Sequence, residues 1–203
     1  MYAAFINIRF LNVSKSNRKG RDRMPIPQKR TYTSEDYWNL PEGQRAELID
    51  GKLYAMAPPS FTHQKISFSL ARKIANHIDS KKGNCEVIPA PFAVNLDADD
   101  KTWLEPDISI ICDKTKISEK GCKGAPDWVI EVISPSTQSR DYLKKLWLYQ
   151  NAGVREYWII NPIMQNVQVY SFDEEATSNQ FSFNDEISSH IFNDLIIKIS
   201  DLL

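Results

Sequence analysis

The hydrophobic residues of this chain are gathered into short continuous runs and into stripes with helical spacing. The most pronounced run, residues 128–133, is rich in β-branched and aromatic residues and lies between Pro126 and Pro135. A run of this length and composition predicts a strand that is buried on both faces of a sheet. A second run, residues 108–111, predicts another buried strand.

Helical spacing is found in three other segments. Isoleucine and leucine side chains recur at steps of four over residues 60–78, which predicts an amphipathic helix that covers the sheet. A polar cap and an acidic first turn predict a short helix over residues 34–40. A third helix is predicted to begin at Ser136 or Thr137, and Gly153 ends it.

Turn residues connect these elements. The Asp50-Gly51 pair lies between two strand-like runs, residues 46–49 and 52–56, which predicts a β-hairpin. Two prolines within residues 85–96 predict a strand at the edge of the sheet, because proline cannot donate a backbone hydrogen bond. The alternation of strands and helices predicts an α/β fold with a mixed central β-sheet flanked by α-helices.

Length and charge bear on the domain organisation. The 203 residues, of which 42% are hydrophobic, suffice for one α/β domain, which we assign to residues 24–203. Residues 1–23 carry six Lys and Arg side chains against one Asp, and we expect them to be disordered or to lie upstream of the true start at Met24. The remainder has 19 basic and 25 acidic residues, so its composition does not predict strong non-specific binding to nucleic acid.

The cysteines and the longest apolar stretches bear on the compartment. Cys85, Cys112 and Cys122 are odd in number and show no C-x-x-C spacing, so we expect free thiols in a reducing compartment and no structural zinc. No stretch of the sequence approaches the roughly 18 apolar residues that span a membrane. We therefore expect a soluble, cytoplasmic protein.

Candidate chemistry begins with Glu131, a carboxylate in the middle of the most hydrophobic run. An ionised group in such a place needs a cation or hydrogen-bond donors beside it. At about 100° per residue, Lys145 lies in an apolar helix stripe with Leu148 and Tyr149. The neighbouring Lys144 falls on the polar side of the same helix. Lys145 is therefore predicted to meet Glu131, either as a structural ion pair or in a catalytic role.

Asp107 favours the catalytic alternative. It lies at the start of the second buried run, so two strands each bring one carboxylate to the interior, near Lys145. Two carboxylates with waters and phosphate oxygens are a ligand set that Mg²⁺ accepts, and the carbonyl of Val132 could add a further ligand. Lys145 would then orient or deprotonate the attacking water and offset the charge that develops on a phosphate.

The three histidines are not assigned to a metal. His63 lies in the first turn of the predicted 60–78 helix, where a lone histidine is more often a surface or capping group than a ligand. No second histidine follows it at the four-residue spacing of a helical metal site. The same reasoning applies to His77 and His190.

Together these residues resemble a known family. The chain is similar to the PD-(D/E)XK nucleases, the restriction-endonuclease-like superfamily, and within it to the Uma-two-type restriction endonucleases, from about Pro25 to the C-terminus. The matching segments, in chain order, are residues 47–51 (ELIDG), 57–60 (APPS), His63-Gln64, 105–107 (EPD), 127–137 (DWVIEVISPST) and 153–158 (GVREYW), together with Asp141, Lys145 and Tyr149.

The resemblance implies a restriction-endonuclease-like core and Mg²⁺-dependent hydrolysis of DNA, with Mn²⁺ as an alternative ion. It implies that Asp107 and Glu131 bind the metal, that Glu47 is a further acid from the first core element, and that Lys145 is the catalytic lysine. The lysine expected two residues after the second acid is Ile133 here. The resemblance implies that Lys145, on the next helix, takes its place.

Two other interpretations stay open at this point. A catalytically silent nuclease fold could bind nucleic acid or a protein partner without cutting. The acidic composition favours that alternative, and the retained acids and lysine argue against it. Glu131 and Glu47 could also form the acid/base pair of a glycosidase, although Lys145 and the lack of an aromatic sugar platform near either acid argue against this.

The expected partners are DNA as the substrate and a second copy of the chain, with no membrane. Leu143 and Trp147 lie on the side of the predicted helix that faces away from Lys145. Large apolar side chains in such a position need cover, which predicts a homodimer.

Overall fold

The computed structural model describes residues 30–97, 99–134, 140–173 and 176–203, without the side chains of residues 140–142. The expected N-terminal extension, residues 1–23, and the expected helix cap at Ser136 or Thr137 lie outside these residues. Thr31–Leu203 forms one compact unit. In the described part of the chain, no helix has both the length and the apolar character that crossing a membrane requires.

Helices form in all three predicted segments, but the third is α-helical only from Leu146 onward. They are α1 (Ser34–Trp38), α2 (Phe61–Ser80) and α3 (Leu146–Ala152), with a π-helical segment (Arg140–Lys145) directly before α3 and short 3₁₀ turns at Lys114–Lys116 and Ile199–Leu202. The side chain of Ser60 caps α2 by accepting a hydrogen bond of 3.2 Å from the amide of His63. Gly153 ends α3 in the left-handed conformation, with φ of 91°.

The strands include both predicted buried runs. They are β1 (Ala46–Ile49), β2 (Lys52–Ala55), β3 (Glu86–Pro89), β4 (Val94–Asn95), β5 (Ile108–Ile111), β6 (Ile117–Ser118), β7 (Gly121–Lys123), β8 (Trp128–Val132), β9 (Glu156–Asn161), β10 (Asn166–Ser171), β11 (Thr177–Ser182), β12 (Ile187–Ser188) and β13 (Ile196–Ile197).

A six-stranded mixed sheet forms the centre of the fold, in the order β11-β10-β9-β8-β5-β3. Its β8 and β9 are parallel, while its other described neighbours are antiparallel. Strand β8 is buried along its whole length, and β3, with Pro89, lies at an edge. The predicted α/β class with a mixed central sheet is confirmed, and so is the edge position of the proline-containing strand.

Two apolar layers cover the two faces of this sheet. On one face, Ile130 and Val132 of β8 pack with the buried stripe of α2. On the other face, Val129 and Ile133 pack with Leu148 and Tyr149 of α3. Since side chains alternate along a strand, Glu131 lies on the α3 face, between Val129 and Ile133.

The β1–β2 hairpin holds Glu47. Asp50 and Gly51 have φ of 49° and 69°, the two positive values that a tight type I′ turn needs. Gly51 is required there for a second reason, because a Cβ at this position would collide with Thr31. Backbone hydrogen bonds of 2.8 and 2.7 Å between Leu48 and Trp103 tie β1 to the segment that leads into β5. The hairpin predicted from the Asp-Gly pair is confirmed.

The expectation of free thiols was wrong for two of the three cysteines. Cys85 and Cys112 form a disulfide that links the residue before β3 to the residue after β5. The antiparallel register of these strands pairs Glu86 with Ile111, so the two cysteines occupy the next opposing positions. Sequence spacing did not reveal the pair, because the cysteines are 27 positions apart and only strand pairing brings them together. Cys122 is free and buried.

Candidate active site

Lys145 lies between two carboxylates in the interior of the protein. Its Nζ is 2.7 Å from Oε1 of Glu131 and 2.8 Å from Oε1 of Glu47. Only 4% of the lysine side chain is exposed to solvent. The helix-face prediction that Lys145 points into the protein and meets Glu131 is confirmed. Lys144, on the other side, is 3.2 Å from Asp50 and is partly exposed.

Tyr149, one turn after Lys145, also holds Glu131 in place. The tyrosine hydroxyl donates a hydrogen bond of 2.8 Å to the same Oε1 that Lys145 approaches. Burial, and then the charge of Glu131, raises the pKa of Tyr149 well above its usual range. The hydroxyl is therefore protonated at neutral pH and acts as a donor.

Asp107 lies directly before β5, beside the end of β8 that carries Glu131 and Val132. Strands β5 and β8 are antiparallel, and at this end their register pairs Ile108 with Ile130. The carboxylate of Asp107 is contacted by His63 of α2, whereas Glu131 contacts Lys145 of the segment before α3. Oδ2 of Asp107 accepts a hydrogen bond of 2.7 Å from the amide of Val132.

His63 is the functional candidate that sequence reasoning missed. Its Nε2 is 3.1 Å from Oδ2 of Asp107, and the histidine side chain is 10% exposed. The expectation of a surface or capping group was wrong, because His63 is a buried residue. A signal was present: at about 100° per residue, His63 shares the helix face of the buried Ile66, Leu70 and Ile74.

The charge state of His63 follows from its neighbour. Burial on its own lowers the pKa of the imidazole, but the hydrogen bond and the charge of Asp107 outweigh burial and raise it. The pair therefore favours a protonated histidine that donates to the carboxylate. Val132 and His63 both hold Oδ2 of Asp107, which fixes the orientation of this carboxylate.

A second cluster of polar residues, centred on Glu105, contacts Glu47. Oε1 of Glu105 accepts a hydrogen bond of 3.0 Å from the hydroxyl of Tyr37, and Oε2 accepts one of 3.1 Å from Nε of Arg45. The amide of Glu105 in turn approaches Oε1 of Glu47 at 3.3 Å. Burial, and then Glu105, raises the pKa of Tyr37, which keeps its hydroxyl a donor. Glu105 thus belongs to the framework of the site, a role that sequence reasoning did not assign.

The other residues that the sequence analysis considered for the site differ in their surroundings. Ile133, where the superfamily pattern has a lysine, is buried in the apolar layer on the α3 face. The bond observed for Val132 uses its amide, and the role expected for its carbonyl remains a prediction. His77 and His190 form surface pairs, 3.1 Å from Asp194 and 2.8 Å from Asp173 respectively.

The oxygen-rich donor set is compatible with a hard divalent cation. In the described ranges, no three or more His, Cys, Asp or Glu residues are grouped so as to hold a metal ion. Mg²⁺ does not need such a cage, because it binds through one or two carboxylates, waters and substrate phosphate oxygens. Glu47 and Glu131 share one lysine and Asp107 contacts one histidine, so neither group has an excess of positive charge that would oppose a cation.

Comparison with known sequences identifies one family and two relatives. Residues 34–200 match the model of the Uma2 family, whose description is "Putative restriction endonuclease". The chain is 28% identical over 155 residues to the uncharacterized protein slr1290 of Synechocystis sp., which covers 75% of this chain and 78% of that protein. It is 22% identical over 152 residues to the uncharacterized protein sll1609 of the same organism, covering 72% and 84%.

Comparison with solved structures agrees on the fold. The chain resembles the crystal structure of a "putative nuclease belonging to DUF820" from Anabaena variabilis, with a TM-score of 0.67 and 24% sequence identity. The match covers 84% of this chain and 96% of that one. At this identity, the likeness establishes the fold.

Proposed function

Because the chain belongs to the Uma2 family of putative restriction endonucleases, we propose that it is a metal-dependent endonuclease that hydrolyses phosphodiester bonds of DNA. The observation that carries the proposal is the buried Lys145, held by Glu131 and Glu47. Burying these charges costs free energy, and a catalytic role in a family of putative nucleases would explain why they are buried together.

The proposed metal site consists of Asp107 and Glu131, with Glu47 and the carbonyl of Val132 as further ligands. Mg²⁺, or Mn²⁺ in its place, would supply Lewis-acid activation of a water and charge neutralisation at the scissile phosphate. His63 and the amide of Val132 hold Asp107, and Tyr149 holds Glu131. These contacts fix the carboxylates before any ion or substrate arrives, which lowers the cost of assembling the site.

Lys145 has the central role in the proposed reaction. As a hydrogen-bond donor it would orient the attacking water and offset the negative charge that develops on the phosphate. Ile133, at the position where the superfamily carries its lysine, lies in the apolar core. The ammonium therefore reaches Glu131 from the helical segment after β8, rather than from β8 itself.

The proposal is tested with the purified chain, plasmid DNA and oligonucleotides, in Mg²⁺, Mn²⁺ or EDTA. We expect cleavage with either ion and none in EDTA. Lys145→Ala should reduce the rate about a hundredfold or more, the usual effect of removing one donor that stabilises a transition state. Lys144→Ala is the matched control, because the adjacent lysine pairs with Asp50 on the partly exposed side, and its rate should stay close to that of the unaltered chain.

A second variant separates loss of chemistry from loss of folding. Glu131→Gln keeps the size of the side chain and an oxygen that can accept from Tyr149, while it removes the charge. It should also lose cleavage, with a circular dichroism spectrum like that of the unaltered chain. Cleavage that persists in both Lys145→Ala and Glu131→Gln would refute the assignment. DNA binding without cleavage in either metal would instead favour the silent nuclease fold.

We also propose that the protein acts as a homodimer. Leu143 and Trp147 are 75% and 63% exposed and lie one helical turn apart. Their exposure agrees with the helix-face prediction that placed them away from Lys145. Two large apolar side chains on one short helical face are suited to a symmetric contact with a second copy.

A further inference from the structure

The outer face of α2 carries two of the most exposed apolar side chains in the described part of the protein. Phe61 and Phe68 are 81% and 66% exposed. They are seven residues apart, so at about 100° per residue they point in nearly the same direction and are about 10 Å apart along the helix. The opposite face of α2 packs on the sheet, so this face has no structural need for aromatic residues.

Cations alternate with these rings. Lys65 and Arg72 are exposed and fall within about 60° of the phenylalanines on the helical wheel. The guanidinium carbon of Arg72 is 5.7 Å from the centre of the Phe68 ring. Residues 51–78 contain no Asp or Glu, although the chain from Met24 onward has 25 acidic residues against 19 basic ones. We name Phe61, Lys65, Phe68 and Arg72 the α2 stripe.

The α2 stripe and the contact to Asp107 belong to the same helix but to opposite faces of it. Phe61 and His63 are both in the first turn, and two residues correspond to about 200° around the helix. His63 faces inward and contacts Asp107, while Phe61 faces outward. One rigid element therefore carries both the stripe and a residue that positions part of the proposed metal site.

Alternating rings and cations suit one class of ligand best. A single-stranded nucleic acid exposes base faces, which stack on aromatic side chains, and phosphates, which pair with Lys and Arg. A regular duplex offers the same phosphates but hides the base faces in its stack. An apolar protein surface would leave Lys65 and Arg72 without a counter-charge.

We infer that the α2 stripe binds single-stranded DNA, with bases stacked on Phe61 and Phe68 and phosphates held by Lys65 and Arg72. The inference deepens the proposed nuclease function, on which it rests for taking this strand as the substrate. It predicts a substrate preference for DNA with an unpaired segment.

Binding is measured on the full chain in EDTA, by fluorescence anisotropy with a labelled oligonucleotide, either single-stranded or annealed to its complement. Phe61→Ala/Phe68→Ala should weaken binding of the single strand by about fivefold or more for each ring, and binding of the duplex much less. Phe61→Leu/Phe68→Leu should weaken it comparably, because leucine keeps the apolar surface but has no ring to stack. Ile163→Ala/Met164→Ala is the control for exposed apolar residues elsewhere, since both are 66% exposed, and should bind normally.

The cations are tested by salt dependence. Lys65→Ala/Arg72→Ala should reduce the slope of log affinity against log salt by about 0.7 for each phosphate of a single strand that the variant no longer neutralises. Lys52→Ala/Lys101→Ala removes two exposed lysines outside α2 and should change the slope less.

Three results would overturn the inference. The first is an equal decrease in affinity for single strand and duplex in Phe61→Ala/Phe68→Ala. The second is full affinity of Phe61→Leu/Phe68→Leu for the single strand. The third is a change of oligomeric state without a change in DNA binding, which would mean that a second copy of the chain covers the stripe. Because these measurements contain no metal, they are independent of cleavage. If the chain never cleaves DNA but prefers the single strand in a way that depends on the two rings, the proposed nuclease function is refuted and the DNA-binding surface is supported.

Discussion

A lysine shared by two buried carboxylates is the central feature at the scale of single residues. Lys145, Glu131 and Glu47 are each almost fully buried, and Tyr149 adds a hydroxyl to the same cluster. Removing one partner from such a cluster leaves an uncompensated charge in the interior, which typically costs about 3–5 kcal/mol. Activity measurements on these residues therefore need a parallel measurement of the free energy of unfolding.

His63 allows a sharper test of the proposed metal site, because it contacts Asp107 but is not itself one of the proposed metal ligands. His63→Ala removes the donor at 3.1 Å from Oδ2 and leaves the Val132 amide to orient the carboxylate alone. We expect the Mn²⁺ dissociation constant, measured by calorimetry, to rise about 10- to 100-fold. His63→Gln should recover part of this loss, since its amide can donate to the same oxygen.

His77→Ala is the matched control for that prediction. His77 is on the same helix and also pairs with an aspartate, but that partner, Asp194, is exposed and lies away from the cluster. Its metal affinity should equal that of the unaltered chain. Equal Mn²⁺ affinity for His63→Ala and the unaltered chain would show that His63 does not position Asp107.

At the scale of the elements, a buried carboxylate ties the C-terminal segment to the central sheet. Glu156 opens β9 and is fully buried. Its oxygens accept hydrogen bonds from Nε1 of Trp158 at 2.6 Å, from the hydroxyl of Ser189 at 2.9 Å, and from the amides of His190 and Ile191 at 3.0 Å. One side chain thus satisfies donors from two segments that are about thirty residues apart in the sequence.

Glu156→Ala should destabilise the fold strongly. Two buried donors, of Trp158 and Ser189, and two partly buried amides would lose their acceptor, and each buried unsatisfied donor costs about 1–3 kcal/mol. We expect the free energy of unfolding in urea to fall by about 3 kcal/mol or more. Glu186→Ala, at an exposed glutamate in the same C-terminal region, should change it by less than about 0.5 kcal/mol. Similar values for the two variants would show that the Glu156 cluster contributes little.

At the scale of the whole molecule, charge and apolar surface are distributed unevenly. The excess of acidic residues from Met24 onward is interrupted by the acid-free residues 51–78, which include most of α2. The most exposed apolar residues include those on α2, those at Leu143 and Trp147, and the pair Ile163 and Met164. We assign the first surface to DNA and the second to a partner copy, because only the first has cations between its rings.

The proposed homodimer is tested by sedimentation. At micromolar concentration the unaltered chain should sediment as a dimer, and Leu143→Glu/Trp147→Glu should sediment as a monomer, because two buried carboxylates would face each other across a symmetric contact. The α2 variant Phe61→Ala/Phe68→Ala is the control and should remain dimeric. A monomeric value for the unaltered chain would refute the proposal.

Much of the site could be predicted because helix and strand periods report which way a side chain points. The 128–133 run placed Glu131 inside, and the helical wheel placed Lys145 inside, with Leu143 and Trp147 outside. His63 shared the buried face of its helix, but no local pattern says what a buried face meets. The contact of His63 with Asp107 depends on how α2 packs against the sheet, and the Cys85–Cys112 disulfide depends on strand register between distant segments.

The sequence by itself determined the elements, the buried orientation of Glu131 and Lys145, and the family. These follow from local periodicity, turn residues and short strings, each of which involves neighbours within a few positions. Only the tertiary structure decided which buried groups meet: Glu47 of the hairpin with Lys145, His63 of α2 with Asp107, and the amide of Glu105 with Glu47. Such contacts are set by how the hairpin, the helices and the sheet pack together, and packing depends on distances that a linear pattern does not contain.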